Sequence, residues 1–270
     1  MTRKIIIIII MACLLLPVYF LLIGGFQNIN GLFKMPPDLI PVNPTLKNYA
    51  KILDNLNVKW ILNTCIVVLL TVVLSVFIST SAGYSLACFK IRWKKIIWLI
   101  ILSGLMIPRI TLYIPQYVIL RKLGISGTLT GVILPLLFSP IGIYLSKVYF
   151  QTVPTSLIES ARLDGANEFQ ILRHIIIPVS KPIITTLGLF AAMGSLGDYV
   201  WQMLVLQQTT NQTLLVGLMR LVSSFGNIVG MRENPIGQAL AIGTLLLLPV
   251  IIIFLFASKY FTNVLSGMKE

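Results

Sequence analysis

Six apolar runs, at about 5–26, 61–89, 96–120, 128–146, 182–206 and 236–257, dominate this 270-residue chain. At ~1.5 Å of rise per residue, runs of this length cross the ~30 Å hydrocarbon layer of a bilayer as helices. Backbone amides in lipid must be satisfied within their own segment, which leaves helices as the spanning element for such runs. The expected fold class is therefore all-α integral membrane: six transmembrane helices in a single transmembrane domain over residues 1–270. Composition agrees, with 57% hydrophobic and only 11% charged residues, against ~25% charged in soluble domains. Mean hydropathy is +0.93.

The first run begins like a secretory signal, with Arg3 and Lys4 before Ile5 to Ile10. It continues to Phe26 with no small-x-small cleavage site, well past the 7–15 residues of a signal core, so it is expected to remain as the first span. The formal charge of +13 comes from 21 Lys+Arg against 8 Asp+Glu. These cations sit singly between apolar runs and form no continuous face, which excludes a nucleic-acid partner and points to anionic lipid head groups. With the N-terminus inside, twelve cations fall in inner connections and eight in outer ones, while Arg109 lies within a run. The short connection at 90–95 alone holds Lys90, Arg92, Lys94 and Lys95. Short loops govern orientation, so both termini are expected to be cytoplasmic. Cys13, Cys65 and Cys88 lie inside apolar runs without metal spacing and are expected to be small core residues.

The connections differ in kind. Residues 27–60, with Pro36, Pro37, Pro41 and Pro44, suggest an irregular outer loop with one short helix. Residues 207–235 are expected to form a long outer loop containing the apolar stretch Leu214 to Val222. Pro108 and Pro115 interrupt the third run, and Pro135 and Pro140 the fourth. Such prolines kink a membrane helix, and the broken segments either line a cavity or merely help packing.

One inner connection stands apart: it is polar, cap-rich and placed between the fourth and fifth runs. Ser156-x-x-Glu159 has the form of a capping box, so a helix is expected from Ser156, and Gly165 can end it in the left-handed conformation. Asn167-x-x-Gln170 offers a second cap, with Phe169, Leu172 and Ile176 along one face, and Pro178 closes the second helix. The segment 154–178 is thus a short helix, a glycine turn and a second short helix along the cytoplasmic membrane surface. A polar helix pair there must touch something soluble.

The array Glu159-Ser160-Ala161, Gly165, Ile175, Ile177 and Pro178 resembles the EAA motif of binding-protein-dependent ABC importers, EAA-x3-G-x9-I-x-L-P. It departs at Ser160, for the second Ala, and at Ile177, for Leu. The resemblance covers nearly the whole chain and is to the carbohydrate-type permeases, in particular the smaller partner of the maltose type. It is carried by Asn63-Thr64, Ala82-Gly83-Tyr84-Ser85-Leu86-Ala87, Met106-Ile107-Pro108, Ile114-Pro115 and Leu120 to Ile125. Leu163-Asp164-Gly165-Ala166, Asp198 to Leu206, Gln212-Thr213-Leu214 and Lys259-Tyr260-Phe261 extend it. At Leu196-Gly197 many relatives have Trp-Asn, which unsettles any transfer of solute contacts.

The resemblance implies a permease for a sugar, an oligosaccharide first and a monosaccharide or glycerol-phosphate-type solute next, in the bacterial cytoplasmic membrane. It implies a heterodimer with a second permease subunit, two ATPase subunits and an extracytoplasmic solute-binding protein. Coupling to the ATPase would rest on Glu159, Ser160, Ala161, Asp164, Gly165, Ile175 and Pro178. Glu159 would pair with a basic residue of the ATPase, and the tail Ser266 to Glu270 would reach the ATPase dimer. No phosphate-binding Gly-rich loop, metal cluster or nucleophile–base pair is present, so the chain is expected to hold no cofactor and not to hydrolyse ATP itself; the resemblance implies that the partner ATPase does so.

Polar and aromatic groups suited to lining a sugar path are Asn63, Tyr113, Gln116, Tyr117, Asp198, Trp201 and Gln202, although Tyr and Trp near helix ends also anchor membrane interfaces. Arg109 and Asp198 lie at similar depths; they either approach each other or snorkel separately toward the outer surface. His174 is expected to be a surface group. A secondary transporter would also be polytopic, but it would show internal repeats and buried ionisable groups for ion coupling, and the sequence has no convincing repeat.

Overall fold

The structure, a computed structural model, describes residues 2–28, 31, 38–207, 209–226 and 235–267. Met268, Lys269 and Glu270 of the tail, Pro36 and Pro37 of the first loop, and Arg232 lie outside the described residues. The described residues contain helices and no strand. In chain order these are α1 (Thr2–Gly24), α2 (Lys47–Asp54), α3 (Val58–Cys88), α4 (Lys94–Met106), a 3₁₀ turn (Arg109–Leu112), α5 (Tyr113–Lys122) and α6 (Leu129–Ile133). After a second 3₁₀ turn (Leu134–Leu136) come α7 (Pro140–Phe150), α8 (Thr155–Leu163), α9 (Glu168–Val179), α10 (Lys181–Gly197), α11 (Tyr199–Val205), α12 (Leu214–Gly226) and α13 (Pro235–Gly267).

Three helices, Lys4–Gly24, Val58–Cys88 and Ile236–Ile253, are long and apolar enough to cross a membrane, and three bent pairs would bring the number to six if each is one span. The first is apolar all round, with Ile5 to Ile10 exposed, as suits a helix whose solvent is lipid. The remaining apolar runs are broken. Lys94–Met106 and Arg109–Lys122 meet at 103°. Pro108 forces the residue before it out of the helical region, and Ile107 is extended at φ −85°, ψ 117°. The fourth run breaks between Leu136 and Pro140, with a bend of 42°. There Ser139 caps α7 by accepting from Gly142 N at 3.1 Å, and Pro140 occupies the first turn.

The fifth run, expected as one helix over 182–206, breaks at Asp198. Asp198 leaves helical geometry at ψ 68° and its carboxylate accepts from Trp201 N at 3.2 Å, capping α11. Residues 207–235 are not a loop throughout: Leu214–Gly226 is a helix whose Val216, Gly217 and Leu218 are buried. Its apolar residues recur at helical spacing, a pattern overridden by the flanking polar residues when read as sequence.

Two compact units divide the chain: Met1–Ile61 with Gln212–Ile252, and Leu62–Asn211 with Ile253–Glu270. In the first, α2, α12 and the start of α13 share a core of Ile52, Leu218, Ala241 and Ile242. Asn48 ties α2 to the end of α1 by donating to the carbonyls of Gly25 (2.9 Å) and Gln27 (3.0 Å). In the second, one core gathers Val67, Leu120, Val132, Ile133, Trp201 and Val205 around the helix breaks. Another packs Tyr84, Phe150 and Ile183 against residues of α8 and α9. Cys13 and Cys65, expected in the core, lie on exposed helix faces, while Cys88 is half-buried.

Candidate functional site

The polar connection folds as two helices joined by a left-handed glycine. The first begins at Thr155, one residue before the expected start, with Pro154 in the N-cap position and no side-chain cap. Ser156 and Glu159 therefore form no capping box, because Pro154 at φ −57° already sets the helical entry. The C-terminal end follows the expected chemistry closely. Gly165 sits at φ +83°. Gly165 N donates to Arg162 O (3.1 Å) and Ala166 N to Ala161 O (3.0 Å), the paired bonds of a Schellman stop. Ala161 and Ala166 also pack into the same core. The spacing of Ala161 and Gly165 is thus the spacing of a helix and its terminator.

The second helix has a complete capping box: Asn167 Oδ1 accepts from Gln170 N (2.9 Å) and Gln170 Oε1 from Asn167 N (2.8 Å). It contains a π-helical turn at Leu172–Ile176 and ends at Val179, one residue past Pro178, with a bend of 88° before α10. Proline has no N–H to give and its ring crowds the carbonyl four residues back, so the widened turn accommodates it. Its inward face is Ile171, Leu172 and Ile176. Phe169, expected on that face, is 59% exposed.

A carboxylate pins this pair to α3. Glu168 accepts from Tyr84 Oη at 2.7 Å and from Arg162 Nε at 2.8 Å. One side chain at the start of α9 therefore holds both α8 and a residue 84 positions earlier in a long apolar helix. The Arg162 hydrogen bond comes first among the causes that keep the Glu168 carboxyl below its ordinary range; burial opposes it and the Tyr84 hydroxyl adds to it. The reciprocal bond raises Arg162. On the outer face Glu159, Ser160, Asp164, Gly165 and Pro178 are exposed, Ile175 is half-buried and Ala161 is buried. Asp164, Gly165, Gln170, His174 and Ile175 line an open groove of about 380 Å³. His174 is exposed, with Nδ1 3.1 Å from Gln170 O.

The second polar concentration lies among the helix breaks. Asp198 Oδ1 accepts from Tyr113 Oη at 2.7 Å as well as from Trp201 N, and Arg109 Nη2 lies 3.5 Å from Asp198 Oδ2. The two charges therefore meet rather than snorkel apart. Beside them is a cavity of about 420 Å³ bounded by α3, α4, α5, α7 and α10 and the 3₁₀ turns at Arg109–Leu112 and Leu134–Leu136. Of the polar and charged residues singled out from sequence, Gln116 and Arg109 line it. Trp201 and Gln202 do not, and both are buried. Trp201 Nε1 donates to Val132 O (3.1 Å) and Gln202 Nε2 to Ser195 O (2.6 Å), so they hold the wall from behind. Tyr113 and Tyr117 pack on the same core, and Asn63 lies near the start of α3 away from the cavity.

The family of binding-protein-dependent transport system inner membrane components matches residues 2–265. The chain belongs to it. It is 32% identical over 261 residues to the arabinooligosaccharides transport system permease protein AraQ of Bacillus subtilis (strain 168), covering 94% of this chain and 90% of that protein. It is 24% identical over 255 residues to the sn-glycerol-3-phosphate transport system permease protein UgpE of Brucella abortus (strain 2308), with 92% and 89% covered. Among solved structures, a bacterial ABC transporter involved in the import of the acidic polysaccharide alginate superposes with a TM-score of 0.82 at 24% identity, covering 96% of this chain and 95% of that one. The chain is a multi-pass membrane permease of a carbohydrate ABC importer type.

Two features of this permease escaped sequence reasoning. Glu168 reads as an ordinary acidic residue in a first turn, and its link to Tyr84 spans 84 positions. The hydroxyl row Thr71, Ser75 and Ser79 along the cavity does carry a signal, since i, i+4, i+8 spacing places the three on one helix face. An apolar run of 61–89 conceals it.

Proposed function

We propose that this chain is one of two permease subunits of an ABC importer for an oligosaccharide of the arabino-oligosaccharide class, and that the helix pair 155–179 is its coupling element. The observation that carries this is the construction of that pair. It is stopped by a Schellman glycine, capped by Asn167 and Gln170, and tied to α3 by Glu168. Its outer face holds Glu159 with no ionic partner among the described residues. A pair fixed to a membrane helix on one side and free on the other transmits displacement, where a flexible loop would absorb it.

On this reading the outer face and its groove seat on a cytoplasmic ATPase subunit, with Glu159 meeting a basic residue there. Two ATPase subunits hydrolyse the nucleotide, a second permease completes the path as a heterodimer, and an extracytoplasmic binding protein delivers solute. Six spans follow if α4 with α5, α6 with α7 and α10 with α11 each cross once while α9 stays at the inner surface, and the cation-rich connection at 90–95 then puts both termini in the cytoplasm. The name of the relative at 32% identity supports the oligosaccharide choice; relatives named for sn-glycerol-3-phosphate mark the other solute class.

The test is reconstitution of the permease with its partner permease, ATPase and binding protein in vesicles. ATP-dependent arabinotriose uptake that is lost on Glu159→Lys and regained with a charge-reversed ATPase cleft supports the reading. Uptake by this chain alone, without ATP, would make it a secondary carrier.

A further inference from the structure

The connection between α3 and α4 carries charge that the permease reading does not use. No acidic residue occurs between Asp54 and Glu159, a stretch that includes Lys90, Arg92, Lys94, Lys95 and Lys147. Two of these cations are committed within the fold. Lys94 Nζ donates to Phe89 O (3.3 Å) and Ala87 O (3.5 Å), closing the end of α3. Lys147 Nζ stands 3.3 Å from the centre of the Trp98 ring, which stacks on Tyr144 at 5.7 Å. Lys90, Arg92 and Lys95 are exposed, and among the described residues none of the three has an acidic partner. The carboxylate that reaches the last turns of α3, Glu168, is taken by Tyr84 and Arg162.

The neighbours of these three cations select the partner. Trp93 is 60% exposed, with the Arg92 guanidinium 5.8 Å from its ring centre. Ile96, Ile97, Leu99 and Ile100 follow at once on α4, all exposed. Unneutralised charge thus gives way to apolar surface at the start of one helix. An acidic protein surface would answer the charge and leave Trp93 and the isoleucines facing water. A phospholipid answers both: its phosphate meets the cations while its acyl chains cover the apolar face. Arginine pairs with phosphate through two parallel bonds, and tryptophan suits the boundary between headgroup and hydrocarbon. Three positive charges favour a headgroup of net negative charge over one that carries its own ammonium.

We propose that this connection seats the headgroup of an anionic phospholipid of the inner leaflet, with Lys90, Arg92 and Lys95 around the phosphate and Trp93 at the acyl boundary. The seat adjoins the Tyr84–Glu168 contact, because Phe89 packs edge-on to Tyr84 at 5.5 Å. A lipid held there braces the end of α3 to which the helix pair is tied. The inference goes beyond the permease reading and takes from it only the inward orientation of this connection.

Native mass spectrometry of the assembled complex, titrated in detergent with phosphatidylglycerol or phosphatidylcholine, reads the affinity for each lipid. Phosphatidylglycerol is expected to be retained at concentrations where phosphatidylcholine is not. Arg92→Gln and Lys95→Gln are each expected to weaken it about fivefold, the effect of one juxtamembrane cation. Either substitution leaves the other cations of the connection in place, so its orientation is kept. Arg121→Gln removes an equal charge from the end of α5 and is expected to leave retention unchanged. Equal retention of the two lipids, wild-type affinity in both variants, or an equal loss in Arg121→Gln overturns the seat. So does a variant that keeps phosphatidylglycerol but loses the ATPase, which assigns these cations to a protein partner. Failure of the wild-type chain to copurify with an ATPase overturns instead the permease reading, and the same titration of the chain by itself then decides the seat.

Discussion

Replacing Gly165 with alanine isolates one physical quantity. The residue sits at φ +83°, and a Cβ built there meets nothing within 4 Å. No steric contact is therefore created, and the cost is purely that of placing an L-residue in the left-handed region, roughly 1–2 kcal/mol. That cost acts on a turn whose two bonds, from Gly165 N and Ala166 N, register α8 against α9. A penalty of that size lowers the population of the formed turn relative to open alternatives by a factor of about 5–30. Asparagine tolerates the same conformation, so Gly165→Asn should fall between glycine and alanine. The assay is ATP-dependent solute uptake in vesicles beside copurification of the ATPase. The expected order for both is Gly, then Asn, then Ala, with Val no better than Ala. Equal uptake for glycine and alanine would refute the argument that the turn sets the docking geometry. A defect confined to large side chains would relocate the role of Gly165 from turn to contact surface.

Glu168 gives a pH signature. Its carboxyl is depressed, first by the Arg162 hydrogen bond, so its contribution to stability is present above the ordinary carboxylate range and is lost as pH falls below that range through the depressed value. Thermal unfolding of the complex should show a steeper acid loss in wild type than in Glu168→Gln, and parallel curves would remove the clamp. The pair is about two-fifths exposed, so its worth at neutral pH is small, within about 1 kcal/mol. At Gly83 an added Cβ would collide with Ser146 and lie 2.9 Å from Lys147 N. Gly83→Ala should cost on the order of 1–3 kcal/mol by prising α3 from α7, read as a fall in melting temperature; an unchanged value would mean the helices separate freely. Trp201→Phe leaves Val132 O without its donor and should cost about 1–3 kcal/mol while leaving solute affinity unchanged. A loss of affinity without a loss of stability would return Trp201 to the solute path.

What could be read from the sequence was whatever repeats locally or carries its chemistry within one turn. Apolar runs of bilayer length announce membrane helices whatever they pack against. Pro108 and Pro140 mark their own breaks, because the missing N–H and the constraint on the preceding residue are properties of one peptide unit. Gly165 and the Asn167–Gln170 box are likewise complete within six residues. The failures sit where a local rule had a competitor. Ser156 lost the cap because Pro154 entered the helix first, and Phe169 is left outside the core that Ile171, Leu172 and Ile176 form.

Tertiary structure alone decided which charges and hydroxyls meet. Arg109 and Asp198 are 89 positions apart and were equally compatible with separate snorkelling; only the bends after Met106 and at Gly197 bring their termini to 3.5 Å. Glu168 finds Tyr84 and Arg162 only once α9 lies across α3. The same bends turn scattered serines and a threonine of an apolar run into the wall of one cavity. Such contacts depend on the angle between helices, and that angle is set by packing summed over many residues, whereas span, cap and turn are set by the few residues that form them.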